Sequence, residues 1–343
     1  MRKSDIIGLV LLAFVIGCRV YVPLADFYSL RCYPVISSSL SLVASAVPVS
    51  LEEVVVIGFV LAFIAIIVRT VRRREGFFRW LAGTARVAMW LVIWLYMGWG
   101  NNYFRTPLYS RLSIEKAAYS YEEFSRFLAD YTESLNVAAG TAASCDRDAL
   151  ETDVKEYYSS VVSNFGYTGL RKWQHIKKPI INPLYSSVGV LGFMGPFFCE
   201  SQLNLELLDV EYPFTMAHEL AHLAGVTSEA EANYWAFNFC RQSDNAAVRY
   251  SGYLSIMPYF ASNARSLLPE DVYAEWLSAL SEKAKQDYAA CREYWDVKRI
   301  RLIDNAQRWM MDRFLKTNGV ANGASDYVGV VGMIITMDSY SCK

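Results

Sequence analysis

His218, Glu219 and His222 form the pattern H-E-x-x-H, and their types and spacing suit metal chemistry better than any other residues of this chain. Residues four apart on a helix share one face, so both imidazoles can reach the same ion. Zinc lowers the pKa of a bound water to about 7, and a neighbouring carboxylate can accept its proton. The pattern therefore predicts a Zn2+ site with Glu219 as general base. The competing interpretation is an ordinary helix with two satisfied histidines.

A third zinc ligand is expected from the helix that follows, where Glu229 and Glu231 are the two candidates. Ser228 stands three residues before Glu231, which is the spacing of a capping box, so Glu231 is expected to bond the backbone at the helix start. Asn233 lies four residues after Glu229 and on the same face, where it could orient that carboxylate. The spacing favours Glu229 as the ligand and leaves Glu231 as the alternative.

The segment just before the zinc helix is a candidate binding surface for an extended substrate. Residues 189–195 are glycine-rich, apolar and uncharged, which predicts a strand or hairpin. A peptide can add to an edge strand by backbone hydrogen bonds, and glycines let another backbone approach closely. The predicted substrate strand consists of Val190, Leu191, Gly192 and Phe193. Glu200 and Asn204 could line the same site, and the alternative for the whole segment is a buried loop.

A donor from outside the ligand helices could stabilise the oxyanion of a tetrahedral intermediate. His175, the third histidine of the chain, lies in the basic segment 172–179, and Tyr253 lies in a predicted helix. Each is a candidate for this role. The alternative is a surface position for His175 and a core position for Tyr253.

These motifs carry a resemblance to known families. H-E-x-x-H followed by a glutamate on a second helix resembles the gluzincin arrangement. Residues 229–233 (EAEAN) are similar to the Glu-x-x-Ala-Asp element of membrane CAAX prenyl proteases, whose first glutamate binds zinc, with Asn233 in place of the aspartate. Over nearly its whole length the chain also resembles the bacterial domain-of-unknown-function 3810 family, through residues 100–105, 195–200, 213–222 and 229–233. The resemblance implies a membrane-anchored zinc peptidase and no particular substrate.

Hydrophobic residues make up 54% of the 343-residue chain, and the excess is concentrated before residue 100. Segments 6–24, 54–68 and 80–99 are predicted to cross a membrane. The alternatives for the first are a secretory signal or a lipoprotein processing site ending at Cys18. The basic run at 69–79 marks the cytoplasmic side, so everything after residue 100 is expected outside. The serine-rich stretch 27–51 is predicted to be an external loop with a short helix.

Composition also limits the partners. The net charge is −1, and aromatic residues flank the basic run, which favours a membrane interface over nucleic acid. The expected partners are a peptide or protein substrate and membrane lipid, while the oligomeric state is left open. Seven cysteines without a C-x-x-C pair argue against a cysteine-based zinc site. Disulfides and buried free thiols both remain open.

The sequence thus predicts a mostly α-helical protein with a small β element. Residues 1–100 are expected to form a membrane anchor of three transmembrane helices, and residues 101–343 an extracytoplasmic zincin-like (gluzincin) domain in a bacterial cell membrane. The expected function is that of a zinc metallopeptidase. The alternative is a non-catalytic zinc-holding sensor or scaffold for peptide or cell-envelope ligands, against which an intact Glu219 argues.

Overall fold

The computed structural model of the chain describes residues 3–73, 76–116, 119–141, 144–320, 323 and 329–341. These residues are mostly helical, with one antiparallel two-stranded sheet, as predicted. The helices of the first hundred residues are α1 (Lys3–Val20), α2 (Val22–Phe27), α3 (Tyr33–Ser45), α4 (Leu51–Arg73) and α5 (Phe77–Gly98). A π-helical turn, Tyr28–Cys32, joins α2 to α3.

Apolar composition and length mark α4 and α5 as helices that could cross a membrane. The number rises to three if α1 and the helical segment Val22–Ser45 are counted as one span, and these two are bent by 112° relative to each other. In the described chain, α1 packs along α5, where Arg86 pairs with Asp5 at 2.8 Å. The predicted membrane segments are therefore present as two or three apolar helices.

The loop predicted for residues 27–51 was wrong over most of its length, because this stretch is mostly helical, while the short helix predicted within it is present as α3. Its serine hydroxyls can find hydrogen-bond partners within the protein and need not face water. Ser37 and Ser41 are buried, and the Ser41 hydroxyl donates to the Ser37 carbonyl at 2.6 Å inside the helix itself. Serine content therefore indicated a polar loop where the hydroxyls are satisfied locally.

The remaining elements form a helical body that carries the sheet. They are α6 (Leu108–Leu112), α7 (Tyr121–Thr141), α8 (Arg147–Ser160), α9 (Asn182–Ser187), β1 (Gly192–Gly195), β2 (Glu200–Leu203), α10 (Tyr212–Leu223), α11 (Glu229–Gln242), α12 (Ala246–Leu267), α13 (Glu270–Ala279), α14 (Glu282–Lys298), α15 (Arg301–Thr317) and α16 (Val330–Ser341). Short 3-10 turns occupy Gly100–Phe104 and Val162–Phe165.

The core of this body is α11, which packs between α10 and α12 and is crossed by α16. Every residue of α11 from Glu229 to Cys240 is buried. The apolar helix α16 also contacts α12. The six cysteines that the structure describes are free thiols, and Cys342 lies outside the described residues.

The crossing of α11 and α12 depends on Gly252, because a Cβ at this position would overlap the Cβ of Cys240. We expect Gly252→Ala to lower the free energy of unfolding by about 1–3 kcal/mol, since the two buried helices must move apart. Gly140→Ala in α7 is the matched control, because a Cβ there meets no atom within 4 Å. Thermal unfolding in detergent measures both variants, and equal shifts would contradict this packing.

Candidate metal centre

The helix α10 carries both histidines of the H-E-x-x-H pattern. Pro213 stands in its first turn, where its fixed φ suits a helix start. The helix ends at Leu223, and Gly225 two residues later has a φ of +102°, in the left-handed region that favours glycine. The Tyr33 ring also lies only 3.2 Å from where a Cβ of Gly225 would be. This stop turns the chain so that α11 begins close to the histidines.

His218, His222 and Glu229 converge on one point. The two Nε2 atoms are 3.1 Å apart, and Oε2 of Glu229 lies 3.3 Å from Nε2 of His218 and 3.4 Å from Nε2 of His222. All three side chains are at most 12% exposed. Among the described residues they form the one group of His, Cys, Asp or Glu side chains with metal-ligand spacing. The structure thus places Glu229 with the histidines, as the sequence favoured.

The orientation of His222 is held by its neighbours. Its Nδ1 lies 2.8 Å from the Val226 carbonyl, so this nitrogen carries the proton and donates, and Nε2 faces the other two ligand atoms. The Trp99 indole donates to the His222 carbonyl at 2.8 Å, and the Tyr33 phenol donates to the Leu223 carbonyl at 2.7 Å. Both donors come from the N-terminal hundred residues. The end of α10 is therefore fixed by the apolar helices.

Charge interactions inside this cluster are strong because it is buried. Burial alone would lower the pKa of His222, but Glu229 outweighs it and raises that pKa to about 9. Burial alone would raise the pKa of Glu229, but His222 and His218 hold it well below its ordinary value. His222 and Glu229 therefore attract each other as oppositely charged groups in a buried place.

Glu219 lies beside the cluster and against the sheet. Burial raises its pKa, while His218 and His222 oppose that rise. A Cβ at Gly192, the first residue of β1, would lie 2.5 Å from Cγ of Glu219. The hairpin predicted at 188–204 is confirmed, with Gly192 and Phe193 inside β1 and Val190 and Leu191 just before it. Only a residue without a side chain fits against this carboxylate.

Glu231 has a different role from Glu229. Its Oε1 accepts hydrogen bonds from the Tyr167 phenol and from the Trp235 indole, the latter at 3.2 Å. Arg105 and Arg111 stack on the Tyr167 ring, with their guanidinium carbons 4.7 and 4.5 Å from its centre. Half of the predicted capping box is present, because the backbone N–H of Glu231 donates to the Ser228 hydroxyl at 3.3 Å. The Glu231 carboxylate therefore bonds buried side chains and does not cap the helix.

Asn233 is buried one turn after Glu229, and it contacts the Tyr259 phenol. Burial raises the pKa of Tyr259 to about 12, and the nearby charge of Glu229 adds to that rise. Sequence reasoning missed Tyr259. It lies in α12, next to Pro258, and no spacing from the H-E-x-x-H pattern points to it.

The other predicted site residues lie outside the group formed by His218, His222 and Glu229. His175 has a side chain that is 65% exposed, and its Nδ1 lies 2.7 Å from Oε1 of Glu151 on the surface. Tyr253 packs against Tyr131 and Phe237 in the core. Glu200 and Asn204 lie at the hairpin. The Glu200 carboxylate accepts from the Ser50 hydroxyl, and the Asn204 side-chain amide donates to the Val190 carbonyl. None of these four predicted residues belongs to the group of three ligand atoms.

Fold and site together define a mostly helical protein with two or three apolar, membrane-type helices and a buried His-His-Glu cluster. The chain belongs to the family described as "Protein of unknown function (DUF3810)", whose model matches residues 28–335. The resemblance to this family is confirmed. No curated protein and no solved structure matches the chain.

The two glutamates at the start of α11 provide a matched test of the metal centre. We expect the purified chain to bind one divalent transition-metal ion, and Glu229→Gln to weaken binding by more than about 100-fold, since outer contacts alone contribute 10–100-fold. Glu231→Gln should keep the metal, because its carboxylate faces Tyr167 and Trp235. Elemental analysis and competition with a chelating dye measure both. The assignment fails if Glu231→Gln loses the ion while Glu229→Gln retains it.

Proposed function

We propose that the chain is a zinc peptidase held in a membrane by its apolar helices. One observation carries the proposal: two imidazole nitrogens and one carboxylate oxygen converge at 3.1–3.4 Å, with the Glu219 carboxylate beside them. Tetrahedral zinc with bonds of about 2.0–2.1 Å needs ligand atoms about 3.3 Å apart. The three separations fit that requirement.

The set of donors favours a catalytic site over a structural one. Structural zinc sites use four protein ligands, commonly cysteines, whereas catalytic sites use three and keep one position open. Two histidines and one glutamate are a known catalytic set. The six described cysteines take no part in the cluster.

When bound, zinc would lower the pKa of a water molecule and polarise the carbonyl of the bond to be cut. Glu219 then takes a proton from the attacking water and passes it to the leaving amine as the C–N bond breaks. Burial raises the pKa of Glu219, which makes its carboxylate a stronger proton acceptor.

The strand β1 supports a peptide as the substrate. It pairs with β2 on one side, in a register where the Asn204 N–H donates to the Leu191 carbonyl at 2.8 Å. Hydrogen-bonded pairs alternate in an antiparallel ladder, so the backbone groups of Gly192 and Met194 face away from β2. An extended peptide added to this edge would pass directly beside Glu219.

The proposed orientation places this site on the outer side of the membrane. Glu52 at the start of α4 and Gly98 at the end of α5 both contact the hairpin. The opposite ends of these helices, about 30 Å away at 1.5 Å per residue, carry the arginines of the basic run. Basic loops mark the cytoplasmic face.

Glu219→Gln tests the proposed chemistry. The variant should keep the metal and its thermal stability, but turnover should fall by about 10²–10⁴-fold because the proton acceptor is gone. The substrate is a pool of degenerate ten-residue peptides, offered free and also joined to one apolar transmembrane helix, and products are identified by mass spectrometry. Full activity in this variant would exclude Glu219 as the base. A metal-loaded wild type that leaves both pools intact would support the zinc-holding sensor.

Gly192→Ala tests the contact between strand and base. We expect the added methyl group to displace the Glu219 carboxylate and to lower turnover by at least about tenfold, since small misplacements of a reacting group are costly. Metal content should stay at the wild-type level. Gly169→Ala is the control, because its Cβ would meet only ordinary contacts, the nearest at 3.5 Å. Unchanged turnover in Gly192→Ala would contradict the proposed geometry.

A further inference from the structure

We infer that the substrate of this site is a polypeptide anchored in the same membrane and cut within about five residues of the bilayer surface. The inference rests on the proposed function and adds the class of substrate. It follows from how closely the hairpin and α10 are joined to the ends of the apolar helices.

The turn of the hairpin is inserted between α4 and α5. The Phe197 ring lies 6.0 Å from the Phe59 ring of α4 and 5.5 Å from the Trp94 ring of α5. The Trp94 indole also donates to the Phe197 carbonyl at 2.7 Å. Gly98 leaves space for the Pro196 carbonyl, which a Cβ would overlap. The turn therefore lies at the level of the first three turns of α4.

One short strand connects this membrane end to the proposed base. A Cβ at Gly195, at the end of β1, would lie 2.6 Å from Cγ of Glu52, and Glu52 accepts from the Phe197 N–H at 2.8 Å. At the start of the same strand, Gly192 lies against Glu219. Three residues of β-strand span about 10 Å. Glu219 is thus no more than about 10 Å along the strand from the first turn of α4.

A second connection gives the same proximity independently. Trp99 directly follows α5, and its indole donates to the carbonyl of the metal ligand His222 at 2.8 Å. One side chain therefore separates the end of an apolar helix from the metal centre.

The helical segment Val22–Ser45 extends the apolar surface beside the site. Tyr33 on its inner side bonds the end of α10. Its outer side carries large exposed apolar residues, namely Phe27, Leu30, Val35, Leu42 and Val43, each more than half exposed. The segment is bent by 112° from α1 and is continuous with it in the chain. An apolar face of this kind, joined to membrane helices, is suited to lie in the lipid interface.

These connections leave the base close to the bilayer on the side where α4 begins and α5 ends. A chain that emerges from the lipid in extended form advances about 3.3 Å per residue, so it reaches Gly192 after roughly three to four residues. Anchoring also confines the substrate to the thin layer along the membrane in which the site lies, and this raises its local concentration. A peptide dissolved in water has neither advantage.

The test uses the full chain, loaded with zinc, in proteoliposomes. The degenerate pool is offered at matched total amounts in three forms: free, joined directly to an apolar transmembrane helix, and joined to it through a ten-residue polyproline spacer. We expect the directly joined pool to be cut at least about tenfold faster than the free pool. The cuts should map within about five residues of the helix. The spacer lifts the pool by about 30 Å, beyond the height of the site, and should lower the rate at least about tenfold below that of the directly joined pool.

The possible results separate the inference from the proposed function. Equal rates for the free and directly joined pools, both abolished in Glu219→Gln, would overturn the membrane-anchored substrate and leave the peptidase standing. Equal rates for the spacer-joined and the directly joined pools would also overturn the membrane-anchored substrate. If zinc-loaded protein cuts none of the three pools, the peptidase itself is refuted, and the inference falls with it.

Discussion

The convergence of two imidazoles and one carboxylate in the interior is the interaction on which the arrangement of α10 and α11 depends. Separations of 3.1–3.4 Å between these ligand atoms bring opposite charges together in a buried place, where each would be costly alone. Gly225 makes the turn that allows it, and Ser228 caps the helix that begins with Glu229. The burial of all of α11 up to Cys240 then holds the carboxylate at a fixed position.

The apolar N-terminal helices also contact the end of α10 and the hairpin turn through hydrogen bonds. Tyr33 and Trp99 donate to the last carbonyls of α10, and Glu52 accepts from the hairpin turn. Carbonyls at a helix end lack partners within the helix, so the Tyr33 phenol satisfies the Leu223 carbonyl. The Trp99 indole is a second donor to the His222 carbonyl, which also accepts from the Gly225 N–H. The division at residue 100 therefore separates two stretches of sequence that share one structural core, since the side chains that secure α10 come from both.

Two predictions made from the sequence were wrong for the same reason. The serines of 27–51 indicated a loop, and Glu231 was expected to cap its own helix. In the structure Ser41 bonds the carbonyl one turn before it, and Glu231 is bonded by Tyr167 and Trp235. Polar residues indicate exposure only when no partner is within reach, and a partner inside the fold removes that need. Such partners lie in the same turn for Ser41 but 64 residues away for Tyr167.

What the sequence determined by itself is local. The i, i+4 spacing of His218 and His222 put both imidazoles on one face. The Ser228–Glu231 spacing favoured Glu229 over Glu231 as the third group, although the Glu231 carboxylate does not cap the helix. The long apolar runs of α4 and α5 marked them as membrane-type helices. Tertiary structure alone decided which distant groups meet this site: Gly192 against Glu219, Trp99 on His222, Tyr259 beside Asn233, and the hairpin turn between α4 and α5. Helical and strand periodicity fix the direction of a side chain relative to its near neighbours. They contain no information on which of many buried surfaces will pack together, because that choice is made by shape and hydrogen bonding over the whole chain.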